Sequence, residues 1–513
     1  MVRHVLLPVF VRTVKKLLQW TVWPRILLFV GATGPLSCNG VKAQAIWTNL
    51  YNGEANGREI ARAIAVGLNG NVYVAGSSDG SGASGDYAIV AYTSAGLPIW
   101  TNRYAGPPST SGSLGVVAVV ATSNVYVTGS VGNSSAADFV TIAYTGAGMP
   151  LWTNRFDGPE NNEDIATALA VDANETVFVT GYSDGSNRYD YVTIAYSSLG
   201  TPLWTNWYDG PLHGSLHGYD AAFGVAVDTN QTVFVTGFSA GGLATIAYSN
   251  TGEPLWTNRY EGVGGYQPYM ALDKNGNIFI SGSGTTVGYS NTGVLLWSNH
   301  SDGPAGGIAV SDSGNVFVAG GAPGNGTAYD YLTIAYSNDG LPLWTNRYNG
   351  PANGNDAANG IAVGSDGNII VTGTFGLSAT TSPRAGYATI AYSTSGTPLW
   401  TNWYMGAGGE ALAVAVSADG DVFVTGYAYF GSNADFATIK YASMIRPRIT
   451  VSRVGGEIVL SWPSTFTDFS LQESIGLQPA AWNDVSEAAV DDGITTRVTL
   501  QSGSGNRFFR LRN

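Results

Sequence analysis

Ala247-Tyr248-Ser249-Asn250-Thr251-Gly252-Glu253-Pro254-Leu255-Trp256-Thr257-Asn258-Arg259-Tyr260 reads as the end of one strand, a glycine turn and a second strand. Versions of the stretch recur along the chain. Trp-Thr-Asn, once Trp-Ser-Asn, begins at Trp47, Trp100, Trp152, Trp204, Trp256, Trp297, Trp344 and Trp400, with spacings of 53, 52, 52, 52, 41, 47 and 56. A period of roughly 40–55 residues belongs to propellers and solenoids.

Each repeat divides into four strands, A to D. In the third, Ala168–Val171 is followed by Thr176–Gly181, Asp190–Tyr196 and Pro202–Tyr208. These runs are rich in Val, Ile, Thr, Tyr and Phe and are bounded by Gly, Asn, Asp and Pro. Both alternating positions are apolar or small, as expected of a sheet covered on each face. The A–B unit occurs eight times, and strand C ends eight times, at Tyr92, Tyr144, Tyr196, Tyr248, Tyr289, Tyr336, Tyr392 and Tyr441. No Trp-Thr-Asn strand follows Tyr441; the missing copy stands before the first strand A, at Ile46–Tyr51. The economical reading is an all-β, eight-bladed β-propeller whose N-terminal strand completes the last blade. Such closure removes the raw edges that a linear solenoid leaves.

Tyr-Ser-x-x-Gly-x-Pro-Leu-Trp and Gly-Asn-Val-Phe-Val-Thr-Gly resemble the bacterial β-propeller repeats called SBBP repeats, over residues 46–441. The Gly-x-Pro-Leu-Trp segment is also similar to the tryptophan-docking repeat of pyrroloquinoline-quinone propellers. That resemblance implies a tryptophan packed between adjacent blades. The quinone enzymes usually carry a vicinal cysteine pair, and Cys38 is the only cysteine here, which argues against their activity.

The ends differ from the body. Arg3, Arg12, Lys15, Lys16 and Arg25 precede the apolar run Ile26–Val30, and Ala43-Gln44-Ala45 has the small-x-small pattern of a cleavage site, so residues 1–45 read as a secretory signal. Without them the chain keeps 17 basic against 36 acidic residues, a net charge of −19, which repels phosphate backbones and excludes nucleic-acid binding. It would also have no cysteine, so no disulfide, thiol catalysis or cysteine metal site. Residues 446–513 break the repeat and alternate as half-buried strands; they resemble a fibronectin-like β-sandwich. The divisions are therefore 1–45, 46–445 and 446–513.

A–B and C–D connections are uniform turns, whereas B–C and D–A connections vary, so one face is a constant scaffold and the other is suited to binding. An acidic residue recurs on the variable side just before strand A: Glu59, Asp164, Asp220, Asp356 and Glu410. These five are the candidate ligand-binding residues. They either ring a channel mouth and attract Ca²⁺ or each cap a local turn. A second series precedes strand C, at Asp86, Asp138, Asp190, Asp330 and Asp435, and suits a loop hydrogen bond. Asp273-Lys274-Asn275-Gly276-Asn277 opens like a calcium loop but lacks the later glutamate, so it reads as a turn. His213 and His217, with Asp209 and Asp220, offer a zinc-type set in one D–A loop. No Ser-His-Asp arrangement, HExxH or Walker loop is present.

The leading expectation is a secreted or cell-envelope, monomeric, non-catalytic binding module without a resident cofactor (Ca²⁺ aside), its partner a protein or glycan. Two other readings remain: a channel-mouth hydrolase or lyase acting with a metal on carbohydrate or lactone, and an envelope scaffold.

Overall fold

The computed structural model describes residues 26–28, 43, 45–79, 85–105, 118–121, 124–133, 136–185, 188–211, 219–261, 267–303, 305–324, 328–351, 353–376, 386–406, 408–431, 433–442, 449–464, 469–475, 482–492, 495–501 and 507–512. Among these every regular element is a strand. The chain divides into two compact units, Cys38–Met444 and a second formed by Met1–Ser37 with Ile445–Asn513.

In the first unit the described residues build eight four-stranded antiparallel sheets. The fourth is typical: Asp220–Val227, Val233–Ser239, Gly242–Tyr248 and Pro254–Glu261 lie side by side in chain order. The last sheet borrows a strand. Ala45–Tyr51 pairs antiparallel with Asn433–Tyr441, with Trp47 opposite Lys440 and Tyr51 opposite Phe436.

Burial explains the pattern. Strands B and C carry continuous apolar runs because both faces are covered; all seven residues of Gly242–Tyr248 are buried. The threonines of the recurring Val-Thr-Gly and Thr-Ile-Ala-Tyr segments are buried in facing pairs. Thr236 and Thr245 share a 3.1 Å hydroxyl hydrogen bond, and Thr180 and Thr193 one of 2.9 Å. Each hydroxyl thus finds a partner where an unpaired one would be costly. Strand D alternates exposed and half-buried positions, as an outer edge does.

Neighbouring sheets share their cores. Phe178, Tyr191 and Ala195 of the third sheet pack with Val233, Val235, Ile246 and Tyr248 of the fourth. The first and last sheets are joined in the same manner: Val72, Val74, Val90 and Tyr92 cluster with Phe423 and Phe436, flanked by Trp47 and Tyr51. Strand-C tyrosines tie sheets together further, Tyr331 donating to Ala388 O at 3.2 Å and Tyr387 to Ala437 O at 3.3 Å.

The second unit has two four-stranded sheets: Thr450–Val454, Glu457–Pro463, Thr495–Gln501 and Val490–Asp491, and Ile26–Leu28, Arg507–Arg512, Ser470–Ser474 and Asn483–Asp484. Ile458, Leu460, Trp462, Leu471, Val498, Leu500 and Phe509 form one buried cluster. Among its described residues, Arg510 lies 4.4 Å over the Trp482 ring, and Arg507 bonds Glu473. Ile26–Leu28, inside the expected leader, pairs parallel with Arg507–Phe509.

Candidate binding face and the junctions beneath it

The uniform face is built by the Trp-x-Asn motif. Trp256 lies between Phe234 of its own sheet, at 5.9 Å between centroids, and Tyr289 of the next, at 6.4 Å. Its Nε1 donates to Asn291 O at 3.1 Å, and Asn258 Nδ2 donates to Gly293 O at 2.5 Å, both in the next sheet's C–D turn. The same two bonds recur from Trp47 and Asn49 to Ser94 and Gly96, and from Trp204 and Asn206 to Asn250 and Gly252. The turn glycine is required twice over. Gly252 has φ +85°, and a Cβ there would lie 2.8 Å from the Trp204 ring. Trp400 is the exception: the eighth sheet has no C–D turn to receive it, its Nε1 has no partner, and Asn402 donates instead to Ala43 O at 3.0 Å.

The A–B turns on this side satisfy themselves. Asp273 Oδ1 accepts from the N–H groups of Asn275 and Asn277, both at 2.8 Å, so the segment that opens like a calcium loop is an Asx turn.

On the opposite side the five acidic residues at the start of strand A lie in the first, third, fourth, seventh and eighth sheets. Glu59, Asp164, Asp220 and Asp356 are buried, while Glu410 is half-buried. Three of them hold the preceding D–A loop: Asp164 accepts from Gly158 N at 2.6 Å, Asp220 from Gly210 N at 2.9 Å, and Asp356 from Gly350 N, while Asp356 also accepts from Gly376 N just after strand B. Glu59 accepts from Ser78 Oγ at 3.2 Å. Glu410 stands beside Tyr427, whose phenol is pushed up by burial and then by that carboxylate. The bonds that these side chains make are local to their own loops and sheets.

Burial raises the carboxyls of Glu59 and Asp356 above their ordinary values and lifts Asp164 to about 6. For Asp356 the consequence has a definite sign. A folded pKa above the unfolded one means that the folded state holds the proton more tightly, so stability falls as pH rises through that window. Asp356→Asn should flatten the slope of melting temperature against pH above the ordinary carboxyl pKa of 3.8, and an unchanged slope would show that Asp356 does not titrate there.

The two acidic series meet across the junctions. Asp138, in strand C of the second sheet, lies with Asp157 and Asp164 so that one oxygen of each falls within 4.8 Å of the others. Asp190, Asp209 and Asp220 repeat this at the third and fourth sheets. Asp157 and Asp209 escape a search for residues preceding strands, because they follow strand D. Their signal is the recurring Asp-Gly-Pro at 157–159 and 209–211. Asp86 instead pairs with Arg103 at 2.9 Å, and burial raises Asp435. His213 and His217 lie outside the described residues.

Above the junction of the third and fourth sheets the variable face carries an aromatic group. Tyr182 and Tyr189 meet edge-on at 4.8 Å, Tyr189 faces Tyr219 at 5.7 Å, and Phe223 lies 6.3 Å from Tyr182. Tyr189 donates to Glu163 at 2.6 Å, and Tyr219 is 52% exposed.

Repeated four-stranded sheets locked by an outer-strand tryptophan define a β-propeller protein. A family model described as outer membrane protein assembly factor BamB matches residues 190–330. Solved structures similar to this chain include the WD40 domain of SCAP from fission yeast, 12% identical with a TM-score of 0.44, covering 78% of this chain and 98% of that one. A protein from Lactobacillus plantarum is 13% identical with a TM-score of 0.41, covering 76% and 99%. A protein of unknown function from Bacteroides caccae is 11% identical with a TM-score of 0.32, covering 54% and 93%. No curated protein matches. No helix of the described residues is long and apolar enough to cross a membrane.

Proposed function

We propose that the chain is a secreted, eight-bladed β-propeller that binds a glycan or protein without catalysis, followed by a small β-sandwich. Eight four-stranded sheets, and the core shared by the first and last, support a closed ring. The binding side is the face of the D–A and B–C loops. The observation that carries this is the aromatic group of Tyr182, Tyr189, Tyr219 and Phe223, exposed at Tyr219 and anchored through Glu163. Preset aromatic rings on a rigid frame contribute contact area at small entropic cost. A second patch, Tyr427 and Tyr429 at 5.5 Å, lies on the same face at the eighth sheet.

Screening the mature chain against envelope polysaccharides and peptides should give ligands whose affinity falls about tenfold or more in Tyr219→Ala, with an unchanged melting temperature. Ligands that bind this variant as tightly as the parent would place the site elsewhere. An envelope scaffold is the second reading, favoured by the match of residues 190–330 to a model described as an assembly factor. It predicts a protein partner and no glycan.

A further inference from the structure

We propose that the junction of the second and third sheets binds a divalent cation, Ca²⁺, between Asp138, Asp157 and Asp164. Other junctions put an arginine in the same place. Strand D of four of the eight sheets carries Arg directly after Trp-Thr-Asn, and in the first and fourth sheets that guanidinium reaches into the junction with the preceding sheet, to Tyr51 and Tyr208. Arg103 Nη1 donates to Ser78 Oγ at 2.8 Å beside Glu59, and Arg259 Nη1 donates to Ser239 Oγ at 2.6 Å in the junction that holds Asp220.

The third sheet has Trp207 at this position, and its ring packs on Phe156 at 6.0 Å. The serine that an arginine would take, Ser183, is fully buried and sits opposite Asp164 across strands A and B. Its Oγ lies beside Asp164 without the geometry of a hydrogen bond. Neither Ser183 Oγ nor Asp164 Oδ1 has a partner, and neither residue has accessible surface. A Cβ on Gly158 would lie 2.5 Å from Ser183 Oγ and 2.8 Å from Asp164 Oδ1, so only glycine lets the D–A loop come this close to both atoms.

The seventh sheet shows how a tryptophan is accommodated without a cation. Trp403 stands at the same position there, the serine is replaced by Phe375, and Asp356 Oδ1 is satisfied by Gly376 N at 3.0 Å. Asp164 has neither arrangement.

Charge and donor type select the ion. Three carboxylates with one guanidinium, Arg155 on Asp138, leave a local charge of about −2. All the donors are oxygens, which suits a hard cation, and the irregular, partly loop-borne set suits Ca²⁺ better than the rigid octahedron of Mg²⁺. Asp157 is exposed, so the ion has a route from solvent.

The test is calorimetric titration of the metal-stripped full chain with CaCl₂, beside melting curves in about 1 mM Ca²⁺, the range of extracellular calcium modules. A single bound Ca²⁺ and a raised melting temperature are expected, with a much smaller response to Mg²⁺. Asp157→Asn, a surface change, should weaken binding about tenfold or more. Trp207→Arg should place a guanidinium as in the first and fourth sheets, abolish the calcium response and raise the calcium-free melting temperature. Asp209→Asn, at the next junction, should leave the titration unchanged. Absence of binding in the parent chain, or binding lost in Asp209→Asn and kept in Asp157→Asn, would overturn the assignment.

Discussion

Trp256→Ala should destabilise the propeller by about 3 kcal/mol, read from the urea midpoint. The ring fills the space between Phe234 and Tyr289, its Nε1 satisfies Asn291 O, and both are lost together. The figure lies at the low end for an aromatic truncation because the indole is only partly buried. Gly293→Ala attacks the same contact from the other side. Gly293 has φ +84°, and its new methyl would lie 2.8 Å from the Trp256 ring, so it should cost a comparable amount while keeping the tryptophan. Hydrogen exchange should rise first in the fourth and fifth sheets, since repeat proteins lose structure locally when one interface weakens. A Trp256→Ala variant with the parent midpoint would mean that the ring is displayed to a ligand rather than used as an interlock.

The legible parts of the molecule are those that repeat one physical task. Eight copies of a half-buried outer strand leave eight copies of Trp-x-Asn, and the missing copy after Tyr441 points directly to the spare one at Trp47. The tryptophan's partners also lie at one structural address, the turn one repeat onward, although the separation varies from 35 to 50 residues. The asparagine was not legible as a second donor; nothing in its spacing says that its amide reaches the Gly293 carbonyl rather than water. The acidic residues were legible only as two separate series. Asp138 and Asp164 meet because strand C of one sheet faces strand A of the next, a relation set by packing between sheets and absent from any local period. The telling residue at that junction is Trp207, whose importance lies in the arginine that it replaces. That substitution can be recognised only once Arg103 and Arg259 are seen reaching Ser78 and Ser239.

Deleting Ala45–Tyr51 should abolish the soluble monomer. The segment contributes three things at once. It pairs with Phe436–Tyr441, it places Tyr51 against Phe436 at 5.3 Å, and it supplies the Trp47 and Asn49 bonds that dock the eighth sheet on the first. What remains across that junction includes Lys440, whose ammonium bonds Asp421 at 2.7 Å and Ser94 O at 3.0 Å. That contact cannot pair the backbone groups of strand C, which become an exposed edge on an apolar strand, the arrangement most prone to intermolecular pairing. Scanning by size-exclusion chromatography should therefore find aggregate in place of monomer. Covalent position distinguishes loss of the strand from loss of the N-terminus. Re-attaching residues 45–51 after Tyr441, through a copy of the 249–253 turn, restores the same neighbours with the connectivity of the other seven sheets. This rearranged chain should recover the monomer and most of the parent stability, since the closure depends on which strands are adjacent rather than on chain order. Recovery would also give Trp400 a C–D turn to dock against, satisfying the Nε1 that now has no partner. A deletion variant that stays monomeric and melts with the parent would instead show that the eighth sheet is stable with three strands.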